Sequence, residues 1–356
     1  MGPLYNRDMR QEKPEGELRR GWTTGACATA AVKAAFAALK TGQFPDPVKI
    51  TLPKGETPSF TLALEGLGAG WAQAGIIKDA GDDPDVTHGC IVIATVRTKG
   101  EGITFKAGEG VGTVTREGLA IPPGEAAINP VPREMMRAVI AELGGGNVEI
   151  EISIPNGEAL AQKTWNPRLG IVGGLSILGT TGIVHPFSCA AWIASIHSGV
   201  DVARAMGLAH VAGCTGSTSE DAVRMHYRLP LEAMLDMGDF AGGLLKYLRD
   251  HPVARVTIGG GFGKIVKLAQ GALDLHSGRS QVDLDWLAGI APELSREKVL
   301  AANTAQHVLE MAEGLKLANR VAALALDRVR HVLRGAPIAA DVMIVSRQGA
   351  VIGHAG

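Results

Sequence analysis

Four carboxylates, a lysine and a histidine fall within one short stretch, Lys78-Asp79-Ala80-Gly81-Asp82-Asp83-Pro84-Asp85-Val86-Thr87-His88-Gly89. Carboxylates and a histidine can move protons, and a dense set of charges can grip a charged or hydroxylated ligand. Apolar runs flank the stretch, Trp71 to Ile77 before it and Cys90 to Arg97 after it, and both read as buried strands. A link between two strands needs only a few turn residues, which Gly81 and Pro84 supply. The extra like charge costs Coulomb energy unless a cation, a ligand or open water absorbs it. A solvated polar hairpin is the plain alternative.

Three further segments share another chemistry. Gly170 to Gly182 (with Gly173, Gly174, Thr180 and Thr181), Ala212 to Thr218 (with Gly213 and Gly216) and Gly259 to Lys264 (with Gly260, Gly261 and Gly263) set glycines and hydroxyls between a strand and a helix. Such turns bring a ligand close to bare backbone, and helix-start N–H groups favour an anion. In an open α/β sheet they gather at the carboxyl ends of the strands, where ligands bind. The plain alternative is tight turns and close helix–sheet packing.

Several chemistries are disfavoured by spacing. Ile265 follows Lys264 where a phosphate loop needs Ser or Thr for Mg²⁺. Asp79 to Asp85 fails the calcium-loop pattern, with Pro84 where glycine is required and Cys90 where glutamate is. No His/Cys set has metal-ligand spacing, so no resident metal is expected. Basic residues recur beside the turns, at Arg19, Arg20, Lys78, Arg116, Arg133, Arg168, Lys264 and Lys267. Together they suit a polycarboxylate through charge-assisted hydrogen bonds.

The elements that must position these residues divide into two kinds. Residues 1–17 read as a loosely ordered segment. Residues 18–160 read as a mostly-sheet α+β domain: a helix Thr24 to Leu39 capped by Thr23 or Thr24 and stopped by Gly42, short strands from Val48 to Lys106, a helix Arg133 to Leu143 and a strand Val148 to Ile154. Residues 161–356 alternate strand, glycine loop and helix, the pattern of an α/β domain, with the boundary expected between Pro155 and Pro167. The fold class is therefore mixed, α+β then α/β, in two domains. A length of 356 residues agrees with two cores.

Net charge is −1, which argues against nucleic acid or an anionic membrane as partner. Cys27, Cys90, Cys189 and Cys214 are widely spaced and read as reduced thiols of a cytoplasmic protein. The polar first twenty residues lack a secretory pattern, Asn6 argues against myristoylation, and Leu169 to Val184 is too short and glycine-broken to span a membrane. A homo-oligomer is compatible with these features.

In chain order, Leu18 to Ala31, Lys78 to Gly89, Gly108 to Leu119, Ala126 to Arg133, Thr164 to Val184, Met237-Gly-Asp-Phe240, and Gly263 to Gly271 with His276-Ser277 together resemble the cobalt-precorrin-5B C1-methyltransferases, the CbiD proteins of anaerobic cobalamin synthesis. The resemblance covers about residues 18 to 280. It implies methyl transfer from S-adenosylmethionine to ring carbon C-1 of a corrinoid, with cobalt present only as part of that substrate. Gly259-Gly-Gly-Phe-Gly263 departs from the family, which often has a histidine there.

Carbon methylation needs the methyl group held in line with C-1 and a proton removed elsewhere on the macrocycle. On that reading Asp79 and His88 are the candidates for proton transfer. Lys78, Arg116, Arg133, Arg168 and Lys264 are candidates for the acetate and propionate arms. Asp82 or Asp83, with the glycine loops, are candidates for the methyl donor. Two rivals remain open at this point: a non-catalytic corrinoid carrier, and a phosphate- or nucleotide-binding enzyme of other chemistry.

Overall fold

The computed structural model describes residues 16–312 and 315–356. The expectation for residues 1–15 lies outside the described residues. The chain divides into two compact units, Met1–Cys189 and Ala190–Gly356. The sequence placed the division some twenty or more residues earlier. Strand pairing explains the difference: Ile171–Val172 pairs with Thr113–Val114, and Ile183–Val184 with Gly21–Trp22, which carries residues 161–189 into the first unit.

The first unit is built on a five-stranded sheet. Its strands are β1 (Leu64–Gly68), β2 (Trp71–Ile77), β3 (Ile91–Thr98), β4 (Ile103–Ala107) and β5 (Val148–Ser153), in the spatial order β1-β2-β3-β5-β4. All neighbours are antiparallel except β4 and β5, which are parallel. Helix α1 (Thr24–Thr41) packs across β2 and β3 and against α2 (Pro130–Glu142). Its run of alanines is buried nearly all round, because small side chains let the helix lie close to the sheet. The Thr23 hydroxyl accepts from the Ala26 N–H, and Gly42 ends the helix at φ 79°, as the sequence predicts. The opposite sheet face is polar, with Gln73 bonded to Thr95 and Arg97 beside Glu151. An antiparallel sheet with one wet face alternates in this way.

The second unit holds a mostly parallel sheet of β6 (His210–Cys214), β7 (Met234–Asp236), β8 (Arg255–Gly260), β9 (Ala339–Val345) and β10 (Val351–Ala355). Its order is β7-β6-β8-β9-β10, with only β10 antiparallel. Its longer helices are α3 (Cys189–Ala205), α4 (Ser217–Tyr227), α5 (Ala241–Asp250), α6 (Phe262–Ala269) and α7 (Leu315–Leu333). Helix α4 covers β6, β8 and β9, while α7 packs on α5, α6, β9 and β10. Strands β6, β8 and β9 are buried along almost their whole length, as parallel strands covered by helices must be. The chain leaves β6 toward β7 on one side and β8 lies on the other, so the strand order reverses between β6 and β8. No helix among the described residues is long and apolar enough to cross a membrane.

Candidate functional site

Strands β2 and β3 run in register, and the Lys78 and Gly89 amides extend the ladder to Cys90 and Lys78, so the acidic stretch projects as a hairpin loop. Its charge is absorbed from within the unit. Arg19 grips both Asp79 oxygens, with Nη2 at 2.9 Å from Oδ1, and its own N–H donates to Asp82 Oδ2 at 2.6 Å. Backbone bonds fix the same contact: Trp22 N–H donates to Asp79 O at 2.7 Å, and Asp82 N–H to Arg19 O at 3.0 Å. Gly21 and Gly81 make this approach possible. A Cβ on Gly21 would stand 2.0 Å from the Ala80 carbonyl carbon, and one on Gly81 2.2 Å from Arg19 O.

These partners change the expected roles. The Arg19 hydrogen bond, helped by the Gly81 amide, pulls the Asp79 carboxyl down to about 2, which makes it a feeble base. His88 Nδ1 accepts the Ala80 N–H at 3.1 Å, so the free proton-carrying nitrogen of the neutral ring is Nε2. That tautomer offers a donor rather than a base.

Lys78, expected to hold a substrate carboxylate, is 1% exposed. Its ammonium sits 2.7 Å from Asp85 Oδ2, while Asp85 Oδ1 accepts from the Thr87 N–H and hydroxyl. Burial works against the Asp85 charge, yet Lys78 and Thr87 outweigh it and the carboxyl titrates lower than usual. Lys78 is therefore a buried counter-ion of the loop and is withdrawn from solvent.

Asp83 stands apart in this loop. It is half-buried, and Oδ1 accepts the Phe187 N–H at 2.8 Å. Burial pushes its carboxyl up, Asp85 adds to the rise, and the Phe187 amide opposes it. A carboxyl raised by desolvation is a better proton acceptor than one held down by an arginine. The sequence could not single it out, because its partner lies 104 residues away.

The remaining basic candidates of the first unit are also engaged. Arg133 Nε donates to Ile128 O at 2.8 Å, Nη2 to Ala126 O at 3.0 Å and Nη1 to Glu125 at 2.5 Å, so it braces the start of α2. Arg116 packs where a Cβ on Gly170 would be, and Arg168 lies over the Trp165 ring at 5.8 Å.

The glycine loop 170–182 belongs to the first unit. It closes over the start of α1, where Leu178 O accepts the Gly25 N–H at 2.8 Å and the Thr24 hydroxyl accepts the Leu178 N–H at 2.9 Å. Gly174 is there for packing, since a Cβ would stand 2.2 Å from the Gly110 backbone. Gly173, at φ 86°, faces open space, Thr180 is exposed, and the Thr181 hydroxyl folds back onto Ile183.

The other two loops meet at the carboxyl ends of β6 and β8, where the strand order reverses. Gly216 precedes α4 and Gly261 precedes α6, and neither helix start has a side-chain cap. Gly213 and Gly260 serve packing, against Leu244 and Thr215, whereas a Cβ on Gly261 or Gly263 would meet nothing within 4 Å. Only the last two leave backbone bare toward open space. Beside them Lys264 donates to Asp239 and, at 3.1 Å, to Leu275 O, which also accepts from the buried Lys267. Burial lowers the Lys267 titration, and the Lys264 charge adds to the shift. An aromatic pair completes this end: Trp192 and Phe240 have ring centres 6.5 Å apart, and Trp192 Nε1 donates to Asp236 O at 3.0 Å. The pair went unread in the sequence, although Phe240 closes the Met237–Phe240 segment. Among the described residues no group of three His, Cys, Asp or Glu side chains could hold a metal ion.

The CbiD family model matches residues 10–186, and the model of the CbiD C-terminal domain matches residues 274–356. A cobalt-precorrin-5B C(1)-methyltransferase of Brucella canis is 62% identical over 356 residues, covering 96% of this chain and 97% of that protein. Its counterpart in Brucella anthropi is also 62% identical, covering 96% of each. Among solved structures, the cobalamin biosynthesis protein CbiD of Archaeoglobus fulgidus is 30% identical, over 74% of this chain and 84% of that one, with a TM-score of 0.39. With 62% identity along nearly its whole length, this chain belongs to the CbiD family.

Proposed function

We propose that this chain is a C-methyltransferase that moves the methyl group of S-adenosylmethionine to C-1 of cobalt-precorrin-5B in cobalamin biosynthesis. The observation that carries the reading is the 62% identity to curated cobalt-precorrin-5B C(1)-methyltransferases over 96% of the chain. Cobalt would enter as part of the substrate, as the name of those relatives implies.

The carboxyl ends of β6 and β8 in the second unit suit the methyl donor. Gly261 and Gly263 have open space at the Cβ position, the starts of α4 and α6 carry uncapped N–H groups, and Trp192 and Phe240 supply aromatic surface near the same strand ends. Those N–H groups suit a carboxylate, and the aromatic rings suit a purine. When bound, the donor supplies an electrophilic methyl on a sulfonium. The protein's own task is to orient the groups and to receive a proton. Within the first unit, Asp83 is the carboxyl best suited to accept a proton, because burial raises it while Arg19 holds Asp79 ionised. His88, with Nε2–H free to donate, suits a substrate oxygen.

Purified protein incubated with methyl-labelled S-adenosylmethionine and cobalt-precorrin-5B is expected to label the corrinoid on carbon. Calorimetry with S-adenosylhomocysteine tests the donor site directly. No binding, with or without corrinoid, would overturn the proposal.

A further inference from the structure

Strand β4 pairs with β5 alone, and its other edge is open among the described residues. A concavity of about 470 Å³ runs along that edge, lined by Phe105, Lys106, Thr113, Glu125, Arg133 and Arg137 among others. Arg133 and Arg137 stand one turn apart on α2, and both guanidinium groups lie over the Phe105 ring, at 5.3 and 4.9 Å from its centre. Neighbouring like charges on a helix repel unless each is neutralised. Arg133 is answered by Glu125, but Arg137 is exposed and has no hydrogen bond or ion pair among the described residues. The Lys106 side chain turns to the other, polar face of the sheet, where it is 3.1 Å from Glu151, so only its backbone borders the concavity. Stacking on Phe105 holds the Arg137 fork in place while leaving its N–H groups unused, which is how a planar carboxylate is best received. The edge amides of β4 supply further donors.

We propose that Arg137, with the flank of Arg133 and the open edge of β4, binds a carboxylate arm of a polycarboxylate ligand. The site stands on this geometry. Only the identification of the arm as an acetate or propionate of the corrinoid rests on the methyltransferase reading.

Coproporphyrin, a tetrapyrrole with propionate arms, and its methyl ester serve as probes in titrations of the full chain. The wild type is expected to bind the acid and not the ester. Arg137→Gln should weaken acid binding roughly tenfold or more, and Arg137→Lys, which keeps charge but not the planar fork, should fall between. Equal acid affinity in wild type and Arg137→Gln, equal binding of acid and ester, or no binding of the acid by the wild type would each overturn the proposal. S-adenosylhomocysteine affinity, expected to be the same in wild type and Arg137→Gln, separates the two readings. Its absence in the wild type would remove the methyltransferase function while leaving the carboxylate site to be judged by the porphyrin alone.

Discussion

The Lys78 ammonium lies 2.7 Å from Asp85 Oδ2 with its side chain 1% exposed, so the most prominent cation of the acidic loop never faces solvent. Removing one member of a buried pair strands the other. Lys78→Met should destabilise the first unit by about 3 kcal/mol, toward the low end for such a loss because Thr87 still bonds Asp85. A urea titration followed by Trp22 and Trp71 fluorescence checks this, and an unchanged midpoint would contradict the assignment.

Two carboxylates of one loop should respond differently to the same substitution. Asp83→Asn keeps an acceptor for the Phe187 amide but cannot take a proton, so single-turnover methylation should fall about 10²-fold or more. Asp79→Asn loosens Arg19 and should cost activity less than about tenfold. The reverse ranking would return the base to Asp79.

The acid limb of stability carries opposite signs for these groups. Asp79 titrates near 2 in the folded chain against an ordinary 3.8, so its contribution is full above the ordinary value and is lost as pH falls toward 2. Asp83 titrates higher when folded than when unfolded, so stability declines as pH rises through its folded value. Urea midpoints measured from about pH 2 to pH 8 should show Asp79→Asn flattening the acid limb. Asp83→Asn should remove the decline on the rising side.

Glycines of similar sequence context should divide by what their missing Cβ would meet. Gly263→Ala, with open space and a helical position, should keep or slightly raise stability yet weaken S-adenosylhomocysteine by roughly tenfold. Gly174→Ala would drive a methyl into the Gly110 backbone and should destabilise by about 2 kcal/mol or more. Calorimetry and thermal melting of the two variants separate the ligand-facing glycine from the packing one.

At the opposite end of the parallel sheet, Asp341 is 1% exposed and accepts from the Tyr227 hydroxyl at 2.7 Å, Arg255 Nε at 3.0 Å and Thr257 at 2.9 Å. Asp341→Ala would leave all three without their acceptor. A loss of about 3 kcal/mol in the second unit is expected, read by denaturation, with donor affinity in the surviving folded fraction unaltered.

Local chemistry was readable where local residues decide it. Strand Trp71–Ile77 and both caps of α1 follow from alternation, a threonine and a glycine within the segment itself. The division between units and the burial of Lys78 were not readable, because each depends on pairing across tens of residues. The sequence shows the four carboxylates but not that Arg19 and the Phe187 amide reach them from 60 and 104 positions away. It also makes Gly170–Gly182 look like the other two glycine loops, since only long-range pairing with Thr113–Val114 and Gly21–Trp22 assigns it to the first unit.

The segment from Arg19 to Thr23 has a consequence for how the chain is made. It touches the acidic loop through Asp79 and Asp82 and the glycine loop through Gly182, so its partners leave the ribosome far later than it does. Helix α1 and the β2–β3 hairpin can form early from nearby contacts. The carboxylates between them acquire their full set of partners only after residue 187 has emerged, and closing so long a loop is slow. A nascent chain arrested before that residue should carry the sheet without a finished acidic loop, and a protease probing Asp79–His88 during synthesis would see the difference.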